Sequence, residues 1–196
     1  MSAIEPRIVA ALQAQLRARP AGARRVGWKA AFGIAQVEAL IGETPVPGHL
    51  TTATQDVPAA ASHADCEVVV TVGSDELGVA LELVDLTQER NSLEAIIERN
   101  VLHRAFALGP TGADAGEARL IVNGEVRASA PASADHRGTV AAIGRLLEAA
   151  GERLLPGDRI ITGSVVQVPV APGDDVVAEI DGLGRAALTV APHVSA

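Results

Sequence analysis

From Glu117 onward the chain is a run of short apolar segments broken by turn signals: Asn123-Gly124, Pro156-Gly157-Asp158, Pro172-Gly173-Asp174 and Gly182-Leu183-Gly184. Asn-Gly suits the two-residue type I′ hairpin, in which both central residues take positive φ. ARLIV and EVRAS, on either side of it, therefore read as paired strands. RIITGS, VVQVPV, DVVAEI and RAALTV read as further strands joined by Gly-rich turns. Strands closing on one another through such short connections confine this half to a barrel, roll or sandwich. A single helix interrupts them: Val140, Ile143, Leu146 and Leu147 recur at helical spacing, and Gly151 stops it.

The first half is mixed. Ser2 and Glu5 make a capping-box pattern, Pro6 fits a first turn, and Ile4, Ile8, Leu12 and Leu16 repeat every fourth residue, predicting a helix over about residues 3–19. GWKAAF reads as a short strand and AQVEALI as a short helix ended by Gly42. Residues 43–64 show no period and read as extended or irregular, either covering a pocket or running over the surface. ADCEVVVTVG and GVALELVDL are strands, antiparallel if they are neighbours, because the intervening SDEL is too short for a crossover. Asn91 with Glu94 is expected to cap a helix carrying Leu93, Ile96, Ile97, Val101 and Phe106 and ending near Gly109-Pro110. Residues 1–196 thus read as one α+β domain, a length sufficient for a single core.

Composition excludes some partners. Twenty-four acidic against sixteen basic residues give a net charge of -8, which disfavours nucleic acid and anionic membranes as partners. No apolar run approaches the roughly 20 residues of a membrane-spanning helix, and MSAIEPR lacks the features of a signal segment. The expected location is cytoplasmic. The single cysteine, Cys66, allows no intrachain disulfide and reads as a small strand residue. Fifteen arginines accompany one lysine, Lys29, beside the only tryptophan. Coding bias accounts for scarce lysine but not for the one retained, and a compact ammonium has properties that a guanidinium lacks.

Asp65 and Glu67 stand two apart on a predicted strand and share a face, with Cys66, Val68 and Val70 on the other. Glu82 interrupts the apolar run VALELVDL, where a charge needs solvent or a partner. Side by side, the two strands would gather three carboxylates, a donor set for a hard cation such as magnesium, whereas apart the acids would simply face water. His49 in PGHL and His103 on the predicted helix are candidate bases, although the five histidines show no zinc spacing. Ser164 in ITGSVV has no nucleophile-elbow context and reads as a ligand contact.

The segments GWK, IGETPVPGHL, DCEVVV, ELVD, ERN, FALG, IVNGEV, LLPGDRIITGS and VPVAPGDDVVAEIDGLG, in this order, resemble the fumarylacetoacetate hydrolase superfamily. The likeness runs from Gly27 to Val190 and is nearest to the 2-keto-4-pentenoate hydratase and 2-oxo acid decarboxylase branch. It implies a fumarylacetoacetate-hydrolase-like mixed β-roll or sandwich with flanking helices, and a homo-oligomer, with a dimer favoured. It also implies a Mg2+ or Mn2+ ion held by an E-x-E pair and a third glutamate, positions occupied here by Asp65, Glu67 and Glu82.

Lys29 matches the lysine of the family's G-x-K segment, which contacts substrate, and Asn100 falls at its D-N pair, read here as Arg99-Asn100. Asn100 and Ser164 are thereby expected to bind substrate. Ala53 replaces an expected catalytic aspartate, leaving His49 as a substitute, with Asp56, three residues later, as another, and the connection from Glu67 to Glu82 is shortened. The implied activity is a metal-dependent, hydratase-like lyase acting on a small 2-oxo or 2-hydroxydienoic acid. A decarboxylase, tautomerase or cyclising enzyme, or a non-catalytic paralogue, is the alternative.

Overall fold

In the computed structural model, which describes residues 4–88 and 92–192, side-chain alternation along one central strand organises the architecture. Ala64, Cys66 and Val68 of β3 (His63–Thr71) pack into the largest apolar cluster, whereas Asp65 and Glu67 point away from it. β4 (Leu77–Val84) does the same with Val79, Leu81 and Leu83 inward and Glu82 opposite. These strands belong to a six-stranded sheet in which β2 (Val46–Thr51), β1 (Arg25–Ala31), β8 (Arg159–Pro169), β3, β4 and β5 (His103–Gly112) follow one another. Every pair in it is antiparallel except β1 with β8. That parallel pair approaches so closely that a Cβ on Gly27 would lie 1.9 Å from the carbonyl oxygen of Arg159.

A second, antiparallel sheet, ordered β10 (Gly184–Thr189), β9 (Asp175–Ile180), β6 (Glu117–Val122) and β7 (Glu125–Pro131), covers the apolar face with Leu120, Val176, Ala178 and Ile180. The six-stranded sheet rolls away from it. Just beyond edge strand β2, the Asp56 N–H donates to Phe106 O at 2.8 Å and Thr54 O accepts from Phe106 N–H at 2.9 Å, tying that edge to β5. Leu50, Val69, Ala80, Phe106 and Ile161 fill the inside of the roll.

Helices α1 (Pro6–Arg17), α3 (Leu93–Glu98) and α4 (His136–Ala149) flank the sheets, with the short α2 (Ala35–Ile41) following β1. The four-residue repeat of α1 reaches the interior as read: Ile8 and Leu12 are fully buried against Ile96 and Ile97, with Ile4 and Leu16 at the rim. Trp28 is fully buried under α4 with Ile143 and Leu147. Among the described residues no helix is long and apolar enough to cross a membrane.

The structure corrects several sequence expectations. The α1 cap is Glu5, whose side chain accepts from the Arg7 N–H, and Ser2 lies outside the described residues. Residues 46–51, within the stretch read as extended or irregular, are extended and form the fully buried strand β2, because pairing with β1 supplies the regularity their own sequence lacks. Asn91 is outside the described residues, and Ser92 caps α3 by accepting from the Ala95 N–H. That helix ends at Glu98 instead of continuing through Phe106. Asn100, Val101 and Leu102 take left-handed φ of 54°, 51° and 64°, and β5 begins at His103. RIITGS and VVQVPV are one strand, β8. The hairpin is as read, with φ of 52° at Asn123 and 84° at Gly124.

Candidate metal centre and its cavity

Antiparallel register places Asp65 directly opposite Glu82, with Glu67 two residues along on the same face. An oxygen of each carboxylate lies within 4.8 Å of the others, and the residues are only 4%, 2% and 1% exposed. Lys29 reaches this cluster from β1 across a bare backbone: a Cβ on Gly48 would sit 2.7 Å from Lys29 Cγ. Its Nζ donates to Glu82 Oε1 at 2.5 Å and to Val101 O at 3.4 Å. The left-handed run at 100–102 thus coincides with a carbonyl turned onto the lysine. Such backbone costs on the order of 1–3 kcal/mol per residue and gathers at functional sites.

The remaining contacts are equally specific. His103 Nδ1 lies 2.7 Å from Glu82 Oε1, and its Nε2 lies 3.0 Å from Thr54 Oγ1. Gly163 N–H donates to Glu67 Oε2 and Gln167 Nε2 to Asp65 Oδ1, both at 2.7 Å. Gly163 has a φ of 102°, which L side chains rarely adopt, and a Cβ there would meet the exposed Phe32 ring at 2.7 Å.

Charge within the cluster is unbalanced. Burial, then the neighbouring Glu82, push Asp65 up to about 6. The same causes, with Asp65 added, raise Glu67 well above the ordinary carboxyl range. Burial also opposes ionisation of Glu82, but Lys29 and His103 outweigh it and hold that carboxyl at about 2. His103 is itself pushed down by burial. One ammonium therefore faces three buried carboxylates. A divalent cation would bring this set to neutrality, and three oxygens with no soft ligand suit Mg2+ or Mn2+. Cys66 is no competitor: it points to the other face, and burial, then Glu67, push its thiol up to about 12.

The carboxylates and Lys29 line a cavity of about 760 Å³. Ser164, exposed on β8 opposite Glu67, also lines it, as do the apolar Ile34, Leu86 and Ile96. His136 also lines it, with Nδ1 2.8 Å from Thr162 Oγ1, and burial lowers its pKa.

Five of the seven site residues expected from sequence therefore come together: Lys29, Asp65, Glu67, Glu82 and Ser164. His49 and Asn100 do not line this cavity. His49 pairs in register with Trp28, whereas Gly48 pairs with Lys29, so His49 alternates to the opposite face. Burial lowers its pKa to about 4. Asn100 Oδ1 accepts from His49 N–H at 2.7 Å and Nδ2 donates to His49 O at 2.9 Å, engaging both ends of the amide on the backbone of β2. The sequence reading assigned no place at the cluster to Gln167, and it set His103 on a helix. Both join it through pairing across the sheet.

A rolled six-stranded sheet on a four-stranded one, with three buried carboxylates at a cavity, defines a fumarylacetoacetate-hydrolase-like α+β fold with a candidate metal centre. Solved structures share this fold. 4-Oxalocrotonate decarboxylase from Pseudomonas putida G7, complexed with calcium and acetate, is 22% identical with a TM-score of 0.76, covering 93% of this chain and 85% of that one. The 5-carboxymethyl-2-hydroxymuconate delta-isomerase of Mycobacterium smegmatis is 22% identical with a TM-score of 0.60, covering 86% and 78%. Fumarylpyruvate hydrolase from Pseudomonas aeruginosa, in complex with Mn2+ and pyruvate, is 18% identical with a TM-score of 0.53, covering 86% and 89%. No family model matches the sequence, and no curated protein matches it.

Proposed function

We propose that the chain is a divalent-metal-dependent enzyme of the fumarylacetoacetate hydrolase superfamily, hydratase-like or another lyase, acting on a small 2-oxo or 2-hydroxydienoic acid. The observation that carries this reading is the burial of three carboxylates against a single ammonium at the wall of a cavity. Asp65, Glu67 and Glu82 would hold Mg2+ or Mn2+. Once bound, the cation supplies positive charge for a substrate carboxylate and an adjacent oxo or enolate oxygen. Lys29, anchored by Glu82 and Val101, keeps a third N–H for a substrate oxygen and is the group placed to give or take a proton there. Ser164 offers its hydroxyl beside Glu67, and the apolar lining residues keep water from the substrate's tail.

Decarboxylation or tautomerisation is the second reading. It needs proton transfer at one carbon and no separate base to activate water, and His49, a candidate for such a base, lies off the cavity wall. Two structurally similar proteins are a decarboxylase and an isomerase. The reading takes the protein to act in the cytoplasm as a homo-oligomer, a dimer first.

The test joins metal analysis with an ultraviolet screen of 2-hydroxydienoates and 2-oxo acids. Stoichiometric Mg2+ or Mn2+ is expected, with turnover lost in Glu67→Ala while the fold is kept. If no divalent ion binds, with or without substrate, the reading falls.

A further inference from the structure

Each of the three carboxylates has one oxygen already engaged by a donor of the protein. Glu67 Oε2 accepts from the Gly163 N–H, Asp65 Oδ1 from Gln167, and Glu82 Oε1 from Lys29 Nζ. His103 Nδ1 converges on that same Glu82 oxygen at 2.7 Å. With Glu82 ionised, this contact makes Nδ1 the donor, and Nε2 lies 3.0 Å from Thr54 Oγ1. The His103 side chain is fully buried and lines no part of the cavity, so it reaches the site only through Glu82.

Resting on the metal reading above, we propose that His103 is a positioning residue that occupies Glu82 Oε1 together with Lys29, so that Glu82 presents one oxygen to a cation and the site prefers Mg2+ or Mn2+ over Ca2+. Mg2+ demands near-octahedral geometry at short distances and takes single carboxylate oxygens. Ca2+ accepts more ligands and irregular geometry, including both oxygens of one carboxylate. Three carboxylates with one oxygen each tied down form a rigid set of three donors, leaving the other positions of an octahedron to water and substrate. Without His103, Glu82 is free to turn about its Lys29 contact and offer both oxygens. Groups that orient metal ligands in this way typically affect affinity by about 10- to 100-fold.

The experiment titrates the metal-free protein with Mg2+, Mn2+ and Ca2+ separately by calorimetry, in wild type, His103→Leu and His103→Asn, with melting curves on each. Asparagine retains an N–H close to the place of Nδ1. Expected are Mg2+ tighter than Ca2+ in wild type, an about 10- to 100-fold loss of Mg2+ affinity in His103→Leu with a smaller loss for Ca2+, and recovery of most of the preference in His103→Asn. Equal losses for all ions in both variants would reduce His103 to a packing residue and overturn the proposal, as would His103→Leu binding like wild type or a wild type that prefers Ca2+. A wild type that binds no divalent ion overturns the metal reading itself, so the two failures are told apart.

Discussion

The two faces of β3 and β4 make a controlled contrast. They share backbone, register and burial, yet one carries Ala64, Cys66, Val68, Leu81 and Leu83 and the other Asp65, Glu67 and Glu82. The apolar face buries groups that gain from leaving water. The acidic face buries groups that lose by it, and only Glu82 has a full counter-charge in Lys29. Stability alone does not account for the second face, and that is what makes it the candidate site.

Adjacent residues on opposite faces test this most severely. Glu82→Ala removes the hydrogen-bonded partner of Lys29, leaving Asp65 and Glu67 as the carboxylates near its ammonium, and is expected to destabilise the metal-free protein by up to about 3–5 kcal/mol and abolish divalent binding. Leu81→Ala is expected to cost about 2–5 kcal/mol through the cavity it creates, with Mg2+ affinity unchanged. Denaturant unfolding and calorimetric titration on both separate the two faces. A loss of metal binding in the leucine variant would break the comparison.

Within the acidic face the signs should diverge. Asp65 titrates near 6 in the folded protein against 3.8 ordinarily, so folding raises its proton affinity. The resulting penalty is absent below about pH 4, grows between, and is complete above about 6. Asp65→Asn should therefore stabilise the metal-free protein by about 2–3 kcal/mol above pH 6 and by nothing near pH 4. Comparison with wild type at each pH cancels the opposite trend of buried histidines, which lose stability as pH falls because their pKa values are lowered. Divalent affinity should rise with pH through about 6, as bound protons are displaced.

Glu67→Gln sharpens the point, since burial, then Glu82 and Asp65, raise Glu67 well above the usual carboxyl range, and glutamine keeps its shape without the charge. Its stability should stay within about 1 kcal/mol of wild type while metal binding is lost. The smallest effect is expected at Ser164, exposed on the cavity wall. Ser164→Ala should weaken substrate binding by about 1 kcal/mol and leave melting unchanged.

Local chemistry was legible wherever the residues themselves enforce it. The Asn123-Gly124 turn, the α1 face of Ile8 and Leu12, and the same-face pair Asp65 and Glu67 follow from φ preferences and from periods of 3.6 and 2. The motif order from Gly27 to Val190 added the expected fold and matched Glu82, already marked by its place in an apolar run, to a third ligand position. Residues 46–51 were legible only as extended or irregular chain, because an edge strand without alternation is made regular by the strand it joins. The end of α3 was missed for a related reason: three consecutive left-handed residues contradict local preference and persist only where surrounding contacts determine them.

The sequence alone therefore determined which residues could be brought to one place: two acids two apart on a strand, a lone lysine, and a third acid within an apolar run. Only the tertiary structure decided how each is held. Pairing across the roll set His103 and Lys29 on the same oxygen of Glu82, committed Asn100 to the backbone of His49, and turned His49 away from the cavity. Side-chain period is a property of one strand, whereas these contacts join residues 21 to 53 positions apart that meet only when the sheet pairs and rolls.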